Sequence, residues 1–160
     1  MTFDNSKTII SLRIKLFAAT VVLLAFLALA YVARIIKFPF LGFNESSWTV
    51  ILVGVWLVLA LMPIILNYQF ISYSDDGEYI VFRYFTAGIV GGRKNSVEIN
   101  KTTFAGYKIE TRFFGFIQSI ILFQNIQGRV ANYPPVYISA LNRKEKEKII
   151  NSLNQYASAV

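Results

Sequence analysis

Two apolar runs, residues 16–33 and 48–66, contain no Asp, Glu, Lys, Arg or His, and only a short polar connection separates them. At a helical rise of about 1.5 Å per residue, some 18 to 20 apolar residues cover the roughly 30 Å hydrocarbon core of a bilayer. Each run is therefore expected to form a transmembrane helix, and the pair a hairpin with both termini on one side. A secretory signal is the competing reading of the first run, with 16–27 as its apolar core and Ala28-Leu29-Ala30 as an A-x-A cleavage site. The apolar character runs on to Ala33 and a second run follows closely, which favours a retained helix.

Residues 1–15 carry Lys7, Arg13 and Lys15 against Asp4 and read as a short tail stopping at the headgroups. The connection 34–47 holds Phe38-Pro39-Phe40-Leu41-Gly42-Phe43, an aromatic segment that Pro and Gly keep from being helical and that suits a membrane interface. Ser46 or Ser47 is the expected N-cap of the second helix. Lys7, Arg13, Lys15 and Arg83 flank the helices on the side of the termini, and Arg34 and Lys37 lie in the connection, a bias of four to two. By the positive-inside rule the termini are expected in the cytoplasm and the chain in the cytoplasmic membrane as a multi-pass protein. Neither run carries a charge, and mainly Thr20 and Thr49 break the apolar surface, which argues against a transporter or channel acting alone. Gly54 and the Ala-rich face of the first run suit close packing, within the hairpin or with a neighbour such as a second copy.

After Asn67 the pattern changes to period two. Residues 68–74 and 78–85, rich in β-branched and aromatic side chains, flank Asp75-Asp76-Gly77, a hairpin signal. Residues 88–95 read as a loop, and further strands are expected at 97–100, 104–111, 113–124 (broken at Gly115), 129–133 and 136–139. Asn142 with Glu145 forms a capping box, and Ile149, Ile150, Leu153 and Tyr156 share one face of a final helix. The fold class is thus a membrane α-helical hairpin followed by an α+β domain over 67–160.

The order of seven antiparallel strands and one C-terminal helix resembles the pleckstrin-homology-like (PH-like) fold. The likeness is carried by Gly128-Arg129, Tyr133-Pro134-Pro135-Val136, Ile138-Ser139-Ala140-Leu141 and the Lys/Glu-rich segment after them, which is similar to the ending of bacterial PH-like domains. It implies a seven-stranded partial barrel capped by the helix, over about 68–156, behind a two-helix anchor in the bacterial inner membrane. Phosphoinositide binding in that family uses basic residues around the first hairpin loop. Here that loop is Asp75-Asp76-Gly77-Glu78, and its like charges repel such a ligand. The resemblance then implies a protein-interaction module.

Residue types narrow the chemistry further. The chain has no His and no Cys, which removes the Ser-His and Cys-His nucleophile arrangements, disulfides and thiolate metal sites. Gly91-Gly92-Arg93-Lys94 lacks phosphate-loop spacing, and no apolar helix follows it. Asp75, Asp76 and Glu78 lack calcium-loop spacing and read as a solvated turn. Glu98 and Glu110 are the only carboxylate pair with a case for acid/base work, and it is a weak one without further polar residues nearby. Phe113, Phe114 and Phe116 are expected to pack in the sheet and core, with an exposed patch for a partner as the other reading. Arg143, Lys144, Lys146 and Lys148 read as a solvated helix face.

The expectation is a non-enzymatic, membrane-anchored interaction module without cofactor or metal, an accessory or scaffold subunit of a larger membrane complex. The alternative is a module for anionic lipid headgroups, for which Arg93, Lys94, Lys101, Lys108 and Arg112 are the candidate contacts; they serve equally as candidates for partner contact. The net charge of +7 fits either, and no arginine-rich tract or nucleic-acid motif favours binding nucleic acid.

Overall fold

A computed structural model describes residues 1–87 and 92–157, so Gly88 to Gly91 of the expected loop lie outside the described residues. The chain divides into two units, Ile10–Pro63 and a second one made of Met1–Ile9 with Ile64–Val160.

The helical unit holds most of α1 (Ser6–Leu27), its π-helical continuation Ala28–Val32, and α2 (Glu45–Ile65). Both helices are long and apolar enough to cross a membrane. Within the unit, Trp56 Nε1 donates to Thr20 Oγ1 at 2.8 Å and the Tyr31 hydroxyl meets Thr49 Oγ1 at 2.7 Å. The few polar side chains of the two runs thus satisfy one another, as an apolar surround requires. In the connection, Trp48 Nε1 donates to the Phe40 carbonyl at 2.9 Å and its ring lies against Phe40 and Phe43. Asn44, two residues ahead of the nearer expected cap, Ser46, closes the N-terminus of α2 by accepting from the Ser47 amide at 2.8 Å.

In the sheet unit, strands form where alternation places one face inward. The first sheet has the order β1 (Thr2–Asp4), β2 (Gln69–Ser74), β3 (Tyr79–Thr86), β4 (Asn95–Asn100), all antiparallel. The second has β5 (Phe104–Arg112), β6 (Ile117–Ile126) and β7 (Arg129–Asn132), with β8 (Val136–Tyr137) also paired to β6. A bulge at Gly106, whose φ of 129° suits glycine, bends β5 near its start. The two sheets do not close into the expected seven-stranded barrel. Their inner faces and α3 (Arg143–Tyr156) enclose one core, with Tyr73, Phe82, Ile99, Ile120, Leu122, Ile149 and Leu153 fully buried. The capping box at Asn142 forms as the sequence predicts.

Two segments differ from the sequence reading. Residues 1–15 are not a tail: they supply β1 and the first turns of α1, which starts at Ser6, ten residues before the apolar run. Helical hydrogen bonding tolerates Lys7, Arg13 and Lys15 on exposed faces, so the helix outruns its apolar stretch. The sheet therefore includes a strand from the far side of both apolar helices in sequence. Residues 113–116 form the turn between β5 and β6 instead of the start of a strand.

Candidate functional site

The hydrogen-bond register gives the sheet unit two distinct ends. The root end is where the chain enters α1 and leaves α2. There Asn5, wholly buried, extends the β1–β2 pairing: its amide and carbonyl oxygen serve Ile71 and Ile9, each at 3.2 Å. Its side chain donates to the Gln69 carbonyl and accepts from the Ile71 amide, both at 2.9 Å. Gln69 in turn accepts from the Tyr137 amide at 3.0 Å, joining the first sheet to β8 of the second. Each buried polar group at this junction has a partner, which removes the desolvation cost of placing it there.

At the far end, Asp75 is buried, not part of a solvated turn; Asp76 and Glu78 beside it are exposed. Its carboxylate accepts from the Met1 amino terminus and from Ser152 Oγ on α3, and Ser152 Oγ also meets the Tyr73 hydroxyl at 2.6 Å. Burial pushes the Asp75 carboxyl up, but the bonds from the terminus and Ser152, with the charges of the terminus and Lys101, hold it below its usual range. Burial pushes the Tyr73 phenol up to about 12. Lys101 Nζ donates to the Asp75 carbonyl at 2.6 Å and sits 4.4 Å above the Tyr156 ring. One candidate lipid contact is thereby committed to holding a turn.

The other four basic candidates lie elsewhere. Arg93 and Lys94 precede β4, whose Asn95 pairs with Tyr84, two residues from the Thr86–Gln69 pair, so they stand at the root end of the first sheet. Lys108 lies midway along β5 in the second sheet and Arg112 at that strand's end, and both bridge Glu110, at 3.2 and 3.0 Å. Those two bonds hold the Glu110 carboxyl below its usual range. The five candidates thus do not form one strip. Glu98 lies in the first sheet, accepting from Ser96 Oγ at 3.2 Å, so the carboxylate pair is divided between the sheets. On α3, Lys146 is half-buried and donates to Gln118 Oε1 at 2.7 Å, so the helix face is only partly solvated; burial lowers its pKa.

Two further features stand out, the first unanticipated and the second the lesser of two readings of the sequence. An open cleft of about 410 Å³ on the outer face of the first sheet is lined by Phe70, Ser72, Arg83, Phe85, Lys94 and Ser96. Phe70 and Phe85 face each other across β2 and β3 and stack at 4.7 Å, giving an aromatic floor beside two cations. The register of period two already placed Phe70, Ser72, Arg83 and Phe85 on one face, so a pairing of β2 with β3 would have found it. The second feature is the β5–β6 turn, where Phe113, Phe114 and Phe116 are 63%, 98% and 60% exposed instead of packed in the core. Phe113 and Phe114 have φ of 52° and 53°, a left-handed conformation that bulky residues rarely adopt, and Gly115 follows at 95°.

No protein-family model, curated protein or solved structure matches the chain.

Proposed function

We propose that this chain is a non-enzymatic, membrane-anchored interaction module whose sheet domain has the PH-like arrangement, acting as an accessory or scaffold subunit of a larger complex in a bacterial inner membrane. The observation that carries the reading is the rooting of the domain. Residues 2–5 and 69–74 are partners in one sheet, so they belong in one compartment, and two membrane crossings between them satisfy that requirement. With the charge bias, that compartment is the cytoplasm. Asn5, just before α1, and Gln69, just after α2, are both hydrogen-bonded into the sheet. The cleft of Phe70, Arg83, Phe85 and Lys94 is its docking place, an aromatic floor with cations at its side that suits an acidic, aromatic-bearing segment of a membrane partner.

The test is a mild-detergent pull-down of the tagged full-length chain, run beside the Arg83→Glu and Phe85→Ala variants. A partner at fixed stoichiometry that both variants lose is the expected result. A protein that emerges alone, or only as its own oligomer, sinks the subunit reading.

A second reading, recognition of anionic headgroups, is favoured by one observation: Arg93, Lys94 and Arg112 all stand toward the root end. Charges near an anionic membrane surface contribute on the order of 1 kcal/mol each. Co-purification of anionic lipid with the full chain, reduced by charge reversal at these three positions and by salt, is its signature. A fragment 67–160 is the wrong reagent for either test, because it lacks β1 and Asn5.

A further inference from the structure

We propose that the β5–β6 turn, Phe113-Phe114-Gly115-Phe116, is a bilayer-inserting tip that dips into the headgroup and acyl boundary of an anionic membrane. Three observations meet here. First, the turn exposes three phenylalanines within four residues, one of them at 98%, and the rings have little protein surface to cover them. Second, the left-handed backbone at Phe113 and Phe114 is intrinsically unfavourable for such residues, yet the closing bond from the Phe116 amide to the Phe113 carbonyl at 3.1 Å is intact. Strain held in a well-formed turn is typical of functional segments.

Third, the turn lies at the root end. Ser119 on β6 pairs with Tyr137, whose amide bonds Gln69, the first residue of β2 and four residues past the end of α2. From Ser119 the strand runs through Gln118 and Ile117 to the tip, while its other end, at Asn125, bonds Thr103 beside the far end of the first sheet. Within the sheet unit the tip therefore lies at the same end as Asn5 and Gln69, the residues that flank α1 and α2 in sequence.

A bilayer fits this tip better than a protein pocket does. The rings stand on a convex hairpin with cations just behind them: Arg112 adjoins the tip and is 70% exposed, Lys108 is 62% exposed, and Glu110 between them leaves the strip with net positive charge. Aromatic residues at the headgroup boundary backed by basic ones are the composition of an interfacial anchor. Because the helices tether the domain, the local concentration of lipid is high and a small insertion suffices. This inference rests on the reading of α1 and α2 as membrane spans but not on the existence of a partner for the cleft.

The chain has no Cys, so single cysteines can report on position. Full-length Phe114→Cys, Val55→Cys and Thr102→Cys are labelled with an environment-sensitive fluorophore and reconstituted into vesicles of phosphatidylcholine and phosphatidylglycerol. Quenching by brominated acyl chains is compared with quenching by iodide on both sides. The expected result is that the labels at 114 and 55 respond to the acyl chains and the label at 102 to iodide. Adding Phe113→Ser and Phe116→Ser to the 114 variant should restore iodide access severalfold, and Arg112→Glu should do so more in anionic than in neutral vesicles. A label at 114 that behaves like the one at 102, or that is shielded from both quenchers as in a protein pocket, overturns the inference while 55 stays in lipid. A label at 55 open to iodide would instead overturn the reading of α2 as a span. Circular dichroism of each variant identifies any that has lost its fold.

Discussion

The two long hairpins of the sheet unit are built alike and finished differently. The β2–β3 turn carries acids, yet Asp75 is drawn inside and bound by groups from both ends of the chain, the Met1 amine and Ser152. The β5–β6 turn carries phenylalanines, yet it leaves them uncovered by the domain on a left-handed backbone. Burying a carboxylate and exposing three aromatic rings both run against ordinary residue preferences. The first exception is compensated within the fold by hydrogen bonds and charge. The second has no compensation inside the fold, and that asymmetry separates a residue that stabilises from one whose role lies outside the domain.

Breaking the first turn should have the largest effect. Asp75→Ala removes charge-assisted acceptors from Ser152 and the amino terminus, and it should cost about 3 kcal/mol in denaturant unfolding of the full chain. A cost under about 0.5 kcal/mol, the range of ordinary surface substitutions, would mean that the two turns do not differ. Ser152→Ala should cost less, about 1.5 kcal/mol, because Asp75 keeps its other partners while the buried Tyr73 hydroxyl loses its own.

The pH dependence sharpens the same contrast. Asp75 is held below its usual range, so its contribution is present above the unfolded carboxylate value, about 4, and disappears as pH falls through the lower folded value. Tyr73 is shifted the other way, from 10.0 to about 12, so its contribution is complete below pH 10 and declines as pH rises toward 12. Asp75→Asn should flatten the acid limb, and Tyr73→Phe the alkaline one; unchanged limbs would show that other groups set them.

The second turn should respond in the opposite sense. Phe114→Gly relieves a left-handed backbone and loses almost no contact, so it should stabilise the chain by about 1 kcal/mol. A loss of stability there would reveal a packing role for the ring. Phe116→Ser should be smaller still, within about 0.5 kcal/mol, as expected of an exposed position.

Much of the domain was legible because its signals are local. The seven strands after Asn67 follow from alternation and from turns such as Asp75-Asp76-Gly77, and α3 from its capping box at Asn142. β1 was not legible, since three residues give no period and its partner lies beyond both apolar runs. Asp75 read as solvated because the groups that bind it come from Met1 and α3. The turn at Phe113 was hidden by composition: aromatic residues read as strand, and only Gly115 marked a break. The cleft lies between strands that were legible, but seeing it requires their register. Closure of the sheets into a barrel depends on how edges meet, which local alternation does not encode.

The position of β1 ahead of both apolar helices bears on how the protein is made. This edge strand leaves the ribosome before either helix and waits through the synthesis of some sixty residues until β2 emerges. On the proposed reading of α1 and α2 as membrane spans, a chain in which only one of the two helices inserted would hold the two strands in different compartments, and Asn5 could never reach Gln69. On that reading, completion of the sheet reports that both helices have crossed, and a half-inserted chain keeps an unpaired edge on β2.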